Sequence, residues 1–149
     1  MSELQWQFCS FADLDGKVLY AMLAARQQVF IVEQNCPYLD ADGADPHCAH
    51  LIAWRSGEIA AYARLVPPGL KFAEASIGRV LTTSVGRGQG LGRALMLRAL
   101  SGIEQAFGDG PVRIGAQQYL ERFYQSLGFN TMSPSYLEDG IPHVDMLKN

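Results

Sequence analysis

The stretch "TSVGRGQGLGRALM", residues Thr83 to Met96, decides the fold. Glycine occurs at four alternate positions in it, directly before an apolar segment with helical periodicity: Gly86, Gly88, Gly90 and Gly92. Glycine loses more backbone freedom on folding than any other residue, so this run is destabilising unless bare backbone is needed. Because the run lies between a predicted strand and a predicted helix, its amides can bind an anion at the N-terminus of that helix. A flexible turn before an ordinary helix is the alternative interpretation.

Two known phosphate-binding motifs do not match this stretch. A P-loop requires G-x-x-x-x-G-K-[ST], and the chain contains no Gly-Lys pair followed by Ser or Thr. The dinucleotide fingerprint G-x-G-x-x-G/A fails in each register, because its last position is Leu91, Arg93 or Leu95. ATP or GTP hydrolysis and dinucleotide binding are therefore disfavoured.

Before the glycine run, the hydrophobic pattern predicts strands and helices. Alternation over residues 4–8 predicts a short strand. Apolar residues at helical spacing over 13–32 predict one or two helices, with Arg26 and Glu33 on their polar face. A loop is expected at 35–47, and three strands of an antiparallel meander follow it. Two of these strands lie within 49–68 and are joined by a turn at Ser56 and Gly57, and the third lies within 71–83.

After the run, the pattern alternates again between helix and strand. A helix from Leu91 is expected to end near Gly108 and Gly110, where glycines and Pro111 stop it. The remaining elements are a strand at 111–116, a helix from 117 closed by Gly128, a strand at Phe129, an Asp/Gly/Pro loop and a last strand at 143–147.

The composition indicates one domain over residues 1–149, since 48% of the chain is hydrophobic and can bury a core. The formal charge of −3 gives no general attraction for nucleic acid or an anionic membrane. The N-terminus lacks a basic region before an apolar run, and no segment is apolar for long enough to cross a bilayer. Cys9, Cys36 and Cys48 show no CxxC spacing, which disfavours disulfides and structural zinc. We therefore expect a cytoplasmic protein.

Two motifs resemble the GNAT superfamily of N-acetyltransferases. The first is Arg-x-x-Gly-x-Gly, formed by Arg87, Gly90 and Gly92 between a predicted strand and an apolar helix. The second is "FYQSLGF" at residues 123–129, an aromatic-Tyr-x-x-x-Gly-Phe string at the end of a helix. The order of elements is similar to that of the superfamily over essentially the whole chain. The segments "RQQVFIVEQNCPYLDADGADPHCAH", "IGRVL" and "EDGIPHVDM" resemble its small bacterial ElaA-like branch.

This resemblance implies an α/β (α+β) fold with a mixed, mainly antiparallel central sheet flanked by helices. It also implies acetyl-CoA as the cosubstrate. The positions that match the cofactor site of the superfamily are Val80, Leu81, Thr82, Arg87, Gly88, Gln89, Gly90, Leu91, Gly92 and Arg93. Gln117 stands where many relatives have Asn, and we include it among the cofactor-binding residues.

Acetyl transfer from a thioester to an amine needs a neutral amine, a polarised carbonyl and a proton for the departing thiolate. The resemblance places the hydroxyl of Tyr124 beside the cofactor sulfur as the general acid. It also implies that backbone groups of residues 80–82 hold the pantetheine and polarise the thioester carbonyl. A buried tyrosine that only packs against the sheet is the alternative for Tyr124.

The general base has four candidates, one of which is His50, a histidine that can accept a proton near neutral pH. Glu74 shares a predicted strand face with Val80 that points toward the acceptor, and Glu33 follows an apolar run that is expected to form a pocket wall. His143 can accept a proton near neutral pH. Each has a structural alternative, namely a solvated strand end for Glu74, an ion pair with Arg26 for Glu33, and a purely structural histidine.

The loops at 33–50 and 138–143 are expected to frame an amine pocket, because their acidic residues suit a cationic amine. The first loop contains a cluster of potential metal ligands, Asp40, Asp42, Asp45, His47, Cys48 and His50, whose spacing does not match an EF-hand. We expect an acceptor loop there and no metal.

Two functions remain open at this point. One is an acetyl-CoA-dependent N-acetyltransferase acting on a small-molecule or protein amine. The other is a non-catalytic acyl-CoA-binding or regulatory module. A homodimer is a further partner to consider, whereas we expect neither nucleic acid nor a membrane as a partner.

Overall fold

One mixed sheet contains every strand of residues 3–149, the part of the chain that this computed structural model describes. In chain order the strands are β1 (Gln5–Ser10), β2 (Ala49–Arg55), β3 (Glu58–Val66), β4 (Ala75–Thr82), β5 (Val112–Gln117), β6 (Asn130–Thr131), β7 (Tyr136–Glu138) and β8 (Ile141–Lys148). The order across the sheet is β1-β2-β3-β4-β5-β8-β6, and β7 pairs with β8. Only β4 and β5 are parallel, so the predicted mixed, mainly antiparallel sheet is confirmed.

Helices cover both faces of this sheet. They are α1 (Gly16–Arg26), which continues through a π-helical turn (Gln27–Glu33), α2 (Leu91–Phe107) and α3 (Glu121–Gln125). Short 3-10 turns lie at Phe11–Asp13, Asp45–His47 and Gln118–Leu120. Strand side chains alternate between the layers, because Ile52 packs with Met22 of α1 whereas Leu51 belongs to the core beneath α2. Within residues 3–149, no helix is long and apolar enough to cross a membrane.

The apolar positions predicted for α2 coincide only in part with its buried face: Leu91, Leu95 and Ile103 are buried, Leu100 is partly buried, and Leu97 is 52% exposed. Leu95, Met96 and Ala99 are fully buried against the sheet. The helix lies so close to β3 that a Cβ added at Gly102 would be 2.8 Å from Leu65 Cδ2. The helix ends at Gly108, whose φ of 88° is rarely available to other residues, as its sequence indicates.

The two parallel strands in the middle of the sheet pair only at one end. Ala75 pairs with Val112 and Ser76 with Arg113, and no ladder joins the rest of β4 to β5. The partner of β4 on its other side is β3, where the register shifts between Tyr62 and Arg64. This β-bulge includes Arg79, which has a φ of 49°. Beyond their short ladder, β4 and β5 therefore leave a gap between them in the sheet.

Two features differ from the predictions. The segment before β8 contains the extra strand β7, which returns through a two-residue turn at Asp139 (φ 53°) and Gly140 (φ 77°), as Asp-Gly hairpin turns do. The prediction that Arg26 lies on a polar helix face is wrong, because its side chain is 0% exposed. Arg26 Nε donates to Asp40 Oδ2 at 2.9 Å and Nη1 donates to Asp45 Oδ1 at 2.8 Å, so the aspartate-rich loop folds over it.

Candidate active site

A cleft of about 900 Å³ opens where β4 and β5 separate. Its walls come from the π-helical turn, β4, the end of β5, α3 and the β7–β8 hairpin. The sequence-predicted residues that line it are Glu33, Val80, Leu81, Thr82, Arg87, Gly92, Gln117, Tyr124 and His143. Segments that are far apart in the sequence are thus brought to one cavity.

The loop before α2 exposes its backbone at the rim of this cleft. Gly88 (φ 86°) and Gly90 (φ 67°) adopt the left-handed conformation that residues with a β-carbon rarely take. Gly90 is also the N-cap of α2, and no side chain caps this helix within the described residues. The first amides of α2 therefore have no side-chain acceptor and can bind an anion. Gly86 serves packing, since a Cβ there would lie 2.4 Å from the Ala60 carbonyl oxygen.

Arg87 lies between this loop and the π-helical turn. Its Nε donates to the Thr82 carbonyl oxygen at 3.1 Å, and its Nη2 donates to Glu33 Oε1 at 2.5 Å. This hydrogen bond from Arg87 lowers the pKa of Glu33. A predicted cofactor ligand and a predicted catalytic residue are therefore partners, and Glu33 does not pair with Arg26.

Tyr124 is the buried residue of α3 and lies against the cleft. Its ring packs edge-on against Phe123 and Phe129, with centroid distances of 5.1 Å and 6.0 Å. Burial, followed by the nearby Tyr119, raises the pKa of Tyr124 to about 12. The phenol consequently keeps its proton at neutral pH.

The β7–β8 hairpin brings His143 to the cleft. A carbonyl oxygen can only accept a hydrogen bond, so the 2.7 Å contact between His143 Nδ1 and the Ile141 oxygen places the proton of the neutral ring on Nδ1. In the neutral ring Nε2 is then the nitrogen without a proton; it lies 3.5 Å from Glu138 Oε2, with which a protonated ring forms an ion pair. The imidazole stacks on Tyr136, and the centroids are 6.0 Å apart. This arrangement presents a proton acceptor to the cleft.

Residues 33–36, which we call the bridging segment, cross the cleft between these walls. Besides the contact of Glu33 with Arg87, the side-chain amides of Gln34 and Gln117 donate to each other at 3.5 Å and 3.3 Å. Cys36 Sγ donates to the Asp139 carbonyl oxygen at 3.0 Å. The bridging segment is therefore tied to the glycine loop, to the end of β5 and to the turn of the hairpin.

The fold as a whole has counterparts among known proteins. A family profile described as the acetyltransferase (GNAT) domain matches residues 22–149. The chain belongs to the GNAT acetyltransferase family. Among solved structures, this GNAT chain is similar to an acyl-CoA N-acyltransferase from Pseudomonas aeruginosa, with 45% identity, coverage of 99% of this chain and 100% of the other, and a TM-score of 0.94.

ElaA of Escherichia coli is a second similar GNAT protein. Its sequence is 40% identical over 147 residues, which cover 97% of this chain and 96% of ElaA. Its crystal structure matches with a TM-score of 0.92 over 99% of this chain and 100% of that chain. The predicted membership of the GNAT superfamily and the resemblance to ElaA are confirmed.

Glu74 lies apart from the cleft of this GNAT domain. It precedes β4, its Oε1 is 4.0 Å from Arg113 Nη1, and it is not among the residues that line the cleft. The predicted strand face shared with Val80 is not formed, because Glu74 lies outside the strand and the bulge at Arg79 interrupts the alternation. The geometry gives Glu74 no support as a general base.

The acidic loop of this GNAT chain does not offer free carboxylates to an amine. Its three aspartates, Asp40, Asp42 and Asp45, form ion pairs with Arg26, Arg64, Lys71 and Arg79. Burial raises the pKa of Asp42 and Asp45, but the hydrogen bonds from these arginines outweigh it and lower both values. Within residues 3–149, no group of His, Cys, Asp and Glu could hold a metal ion. The loop carries charges that are already compensated.

His50 has a structural role beneath this loop. Its Nδ1 is 2.7 Å from the Tyr62 hydroxyl and its Nε2 is 3.0 Å from the Asp45 carbonyl oxygen. Burial lowers the pKa of His50, which keeps the ring neutral.

Several residues of the GNAT cleft were not predicted from the sequence. They are Arg64, Lys71, Arg79 and Tyr136, whereas Gln34, Cys36 and Glu138 belong to the two loops that were expected to frame the amine pocket. One available signal was the run of three aspartates within six residues, since buried carboxylates require cations from elsewhere in the chain. The identity of those cations depends on tertiary contacts 14 to 39 residues away in the sequence.

Proposed function

We propose that this GNAT protein transfers an acetyl group from acetyl-CoA to a primary amine, by direct attack of the amine on the thioester. The observation that carries the proposal is Tyr124, a protonated phenol on the wall of the same cleft whose rim is the glycine loop. Binding alone does not require a proton donor at that place. The acceptor is a small-molecule or protein amine.

The cofactor end of the cleft suits a pyrophosphate. Gly88 and Gly90 leave backbone amides exposed, and a Cβ at either glycine would meet no atom within 4 Å, so the loop has room for a bulky oxyanion. Arg87 of the loop and Arg93 of the first turn of α2 are proposed to supply positive charge, and their guanidinium groups contact Glu33 and the Ser126 hydroxyl, respectively. Gln89, Leu91 and Gly92 complete the proposed phosphate contacts, whereas Val80, Leu81, Thr82 and Gln117 are proposed to hold the pantetheine arm.

Bound acetyl-CoA supplies a thioester whose acetyl carbon is the electrophile. The residues of this chain then have two tasks at the gap between β4 and β5. The amine nitrogen forms a bond to the acetyl carbon while the bond between that carbon and sulfur breaks, and the Tyr124 hydroxyl donates a proton to the sulfur. The amine gives up one proton to a base, so the products are an amide and a free thiol.

His143 is the general base we favour. Its Nδ1 donates to the Ile141 carbonyl oxygen, which leaves Nε2 as an acceptor on the cleft wall. Glu33 is less suited to this task, because its hydrogen bond with Arg87 lowers its pKa and weakens it as a base. Glu33 therefore acts in the proposal as the partner of Arg87.

The test is an amine screen with acetyl-CoA, with the released thiol as the readout and calorimetry as a separate measure of cofactor binding. Turnover of at least one amine is the expected result, and His143→Ala should lower kcat while acetyl-CoA affinity stays unchanged. Gly90→Val is the control for a damaged cofactor site, because it forces a β-branched residue into a φ of 67°. Acetyl-CoA binding without turnover of any amine would favour the non-catalytic acyl-CoA-binding module instead.

We also propose that this reaction takes place in the cytoplasm. All three cysteines, Cys9, Cys36 and Cys48, are free thiols in the structure, which is usual for a reducing compartment. Burial raises the pKa of Cys48 to about 11, so this thiol is not reactive.

A further inference from the structure

The acceptor end of the cleft has two walls of opposite charge. Arg64, Lys71 and Arg79 line one side and are called the basic wall. Glu138 and Asp139 of the β7–β8 hairpin line the other side and are called the acidic wall. Asp42 of the aspartate-rich loop lines the cleft beside the basic wall, whereas Asp40 and Asp45 do not line it, and the three carboxylates compensate part of the charge of that wall.

The compensation is incomplete. Four cationic side chains, Arg26, Arg64, Lys71 and Arg79, share three carboxylates, so the cluster retains one net positive charge. Arg26 is fully buried and uses its donors on Asp40 and Asp45. The surplus charge is consequently presented by the basic wall and not by Arg26.

The basic wall also has donors to offer. The Arg64 side chain is 4% exposed, and its buried Nε–H has no hydrogen-bond partner within the described residues. Lys71 Nζ carries three N–H donors, lies 3.0 Å from Asp42 Oδ2, and belongs to a side chain that is 41% exposed. The Arg64 Nε–H is buried, so Arg64 contributes its charge to the wall, whereas the exposed Lys71 ammonium is the donor that an anionic ligand oxygen can contact.

The negative charge of the acidic wall is less compensated by neighbouring cations than the positive charge of the basic wall is by neighbouring carboxylates. The Glu138 side chain is 60% exposed and contacts His143 Nε2 at 3.5 Å. An approaching ammonium group is attracted to Glu138 and can pass its proton to the bare nitrogen of His143. The other acidic residues near the basic wall, Glu74 and Asp145, are engaged with Arg113 and do not line the cleft.

We infer that the acceptor is a primary amine that also carries a carboxylate. The carboxylate binds the basic wall through Lys71, next to the buried charge of Arg64, and the amine lies against the acidic wall beside His143. This inference rests on the proposed acetyl transfer and specifies the substrate class of that same cleft. A free amino acid and the C-terminus of a peptide both supply this chemistry.

The experiment compares matched acceptors in which a carboxamide replaces only the carboxylate. The free amino acids are glycine, β-alanine, γ-aminobutyrate and lysine, each against its amide, and the peptide arm is a short peptide ending in lysine with a free or an amidated C-terminus. Rates are compared per concentration of neutral amine, because amidation lowers the pKa of a nearby amine. We expect kcat/KM to favour the carboxylate on the order of tenfold to a hundredfold in at least one pair, as for a charge-assisted hydrogen bond.

Variants at Lys71 test the assignment of the basic wall. Lys71→Met should remove most of the preference for the carboxylate, through KM, and Lys71→Arg should retain it. Lys17→Met is the matched control, since Lys17 is an exposed lysine of α1 that does not line the cleft. A thermal unfolding curve for each variant checks that the fold is kept.

The outcomes separate the two claims. Equal kcat/KM for carboxylate and carboxamide in all pairs would overturn the acceptor class while leaving acetyl transfer intact. A preference that survives Lys71→Met would also overturn it, because the carboxylate would then bind elsewhere. No turnover in either series, with turnover of another amine in the wider screen, would overturn the acceptor class alone, whereas no turnover of any amine by protein that binds acetyl-CoA would overturn the transfer function and the acceptor class together.

Discussion

Replacing Tyr124 with Phe removes one hydroxyl group and little else. The ring of Tyr124 is 6% exposed and packs edge-on against Phe123 and Phe129, and Phe preserves these contacts. We therefore expect Tyr124→Phe to keep the unfolding temperature and the acetyl-CoA affinity of the wild type. Any change in rate then reports on the hydroxyl.

The expected loss of rate follows from the pKa of the phenol. General acids typically contribute ~10²–10⁴-fold. The pKa of about 12 for Tyr124 lies ~3.5 above the value of an ordinary thiol, near ~8.5, so complete proton transfer to the thiolate is unfavourable by ~5 kcal/mol. Stabilisation of the leaving sulfur by a shared proton is thus favoured, and we expect the lower part of that range, about a hundredfold.

Single-turnover acetyl transfer at saturating acetyl-CoA measures this loss without interference from product release. Tyr20→Phe is the matched control, because Tyr20 is a 77% exposed tyrosine of α1 outside the cleft. The wild-type rate should also not fall between about pH 8 and about pH 10, since Tyr124 remains protonated there. A wild-type single-turnover rate in Tyr124→Phe would refute the assignment and make this tyrosine a packing residue.

Three other perturbations test the cofactor site and the buried ion pairs. Gly92→Leu should weaken acetyl-CoA binding at least tenfold, as measured by calorimetry. The protein should stay folded, because a Cβ at position 92 would have only one contact, at 3.9 Å. Gly16→Ala at the start of α1 is the control and should have no effect on binding. Arg26→Met should lower the free energy of unfolding by ~3–5 kcal/mol in a denaturant titration, because it leaves Asp45 buried with one cation fewer. The protein should lose stability below about pH 4 in an acid titration of its unfolding free energy. The folded state holds the pKa of Asp42 and Asp45 below the unfolded value near ~3.9, so protonation of these carboxylates removes their contribution to the stability of the fold.

The contradicting outcomes differ between these tests. Unchanged affinity in Gly92→Leu would mean that the pyrophosphate binds elsewhere. A small stability change in Arg26→Met would show that Met packs well enough to offset the lost ion pairs. Stability that is constant down to about pH 2 would mean that the aspartates have similar pKa values in the folded and unfolded chain.

The pattern of apolar residues and glycines along the sequence was sufficient to predict most of the fold. The period of α2, the alternation in β2 and β3 and the glycine run are all properties of neighbouring residues, and they predicted the sheet, the helix and the loop between them. β7 was missed because Ser, Pro, Asp and Gly surround a strand of only three residues. The Asp139-Gly140 turn was its available signal, since this dipeptide is typical of two-residue hairpins.

Contacts between residues that are far apart in the chain could not be predicted from the sequence pattern. Arg26 looks like a surface residue of a helix until Asp40 and Asp45 are folded onto it. The left-handed backbone at Arg79 is likewise accompanied by ion pairs with the same loop, with Nε donating to Asp40 Oδ1 at 2.8 Å. A sequence shows which residues carry charge, but the pairing of charges requires the tertiary structure.

If acetyl-CoA binds as proposed, we expect the bridging segment to make the two ends of the cleft thermodynamically dependent on each other. A phosphate that binds Arg87 competes with the carboxylate of Glu33, and Cys36, three residues further along, holds the turn of the β7–β8 hairpin. Occupation of the glycine loop therefore alters what restrains the acceptor end. By linkage, whatever factor acetyl-CoA imposes on the affinity for the acceptor, the acceptor imposes the same factor on the affinity for acetyl-CoA. On this proposal the cleft is one coupled binding unit, in which neither affinity is a property of its own pocket alone.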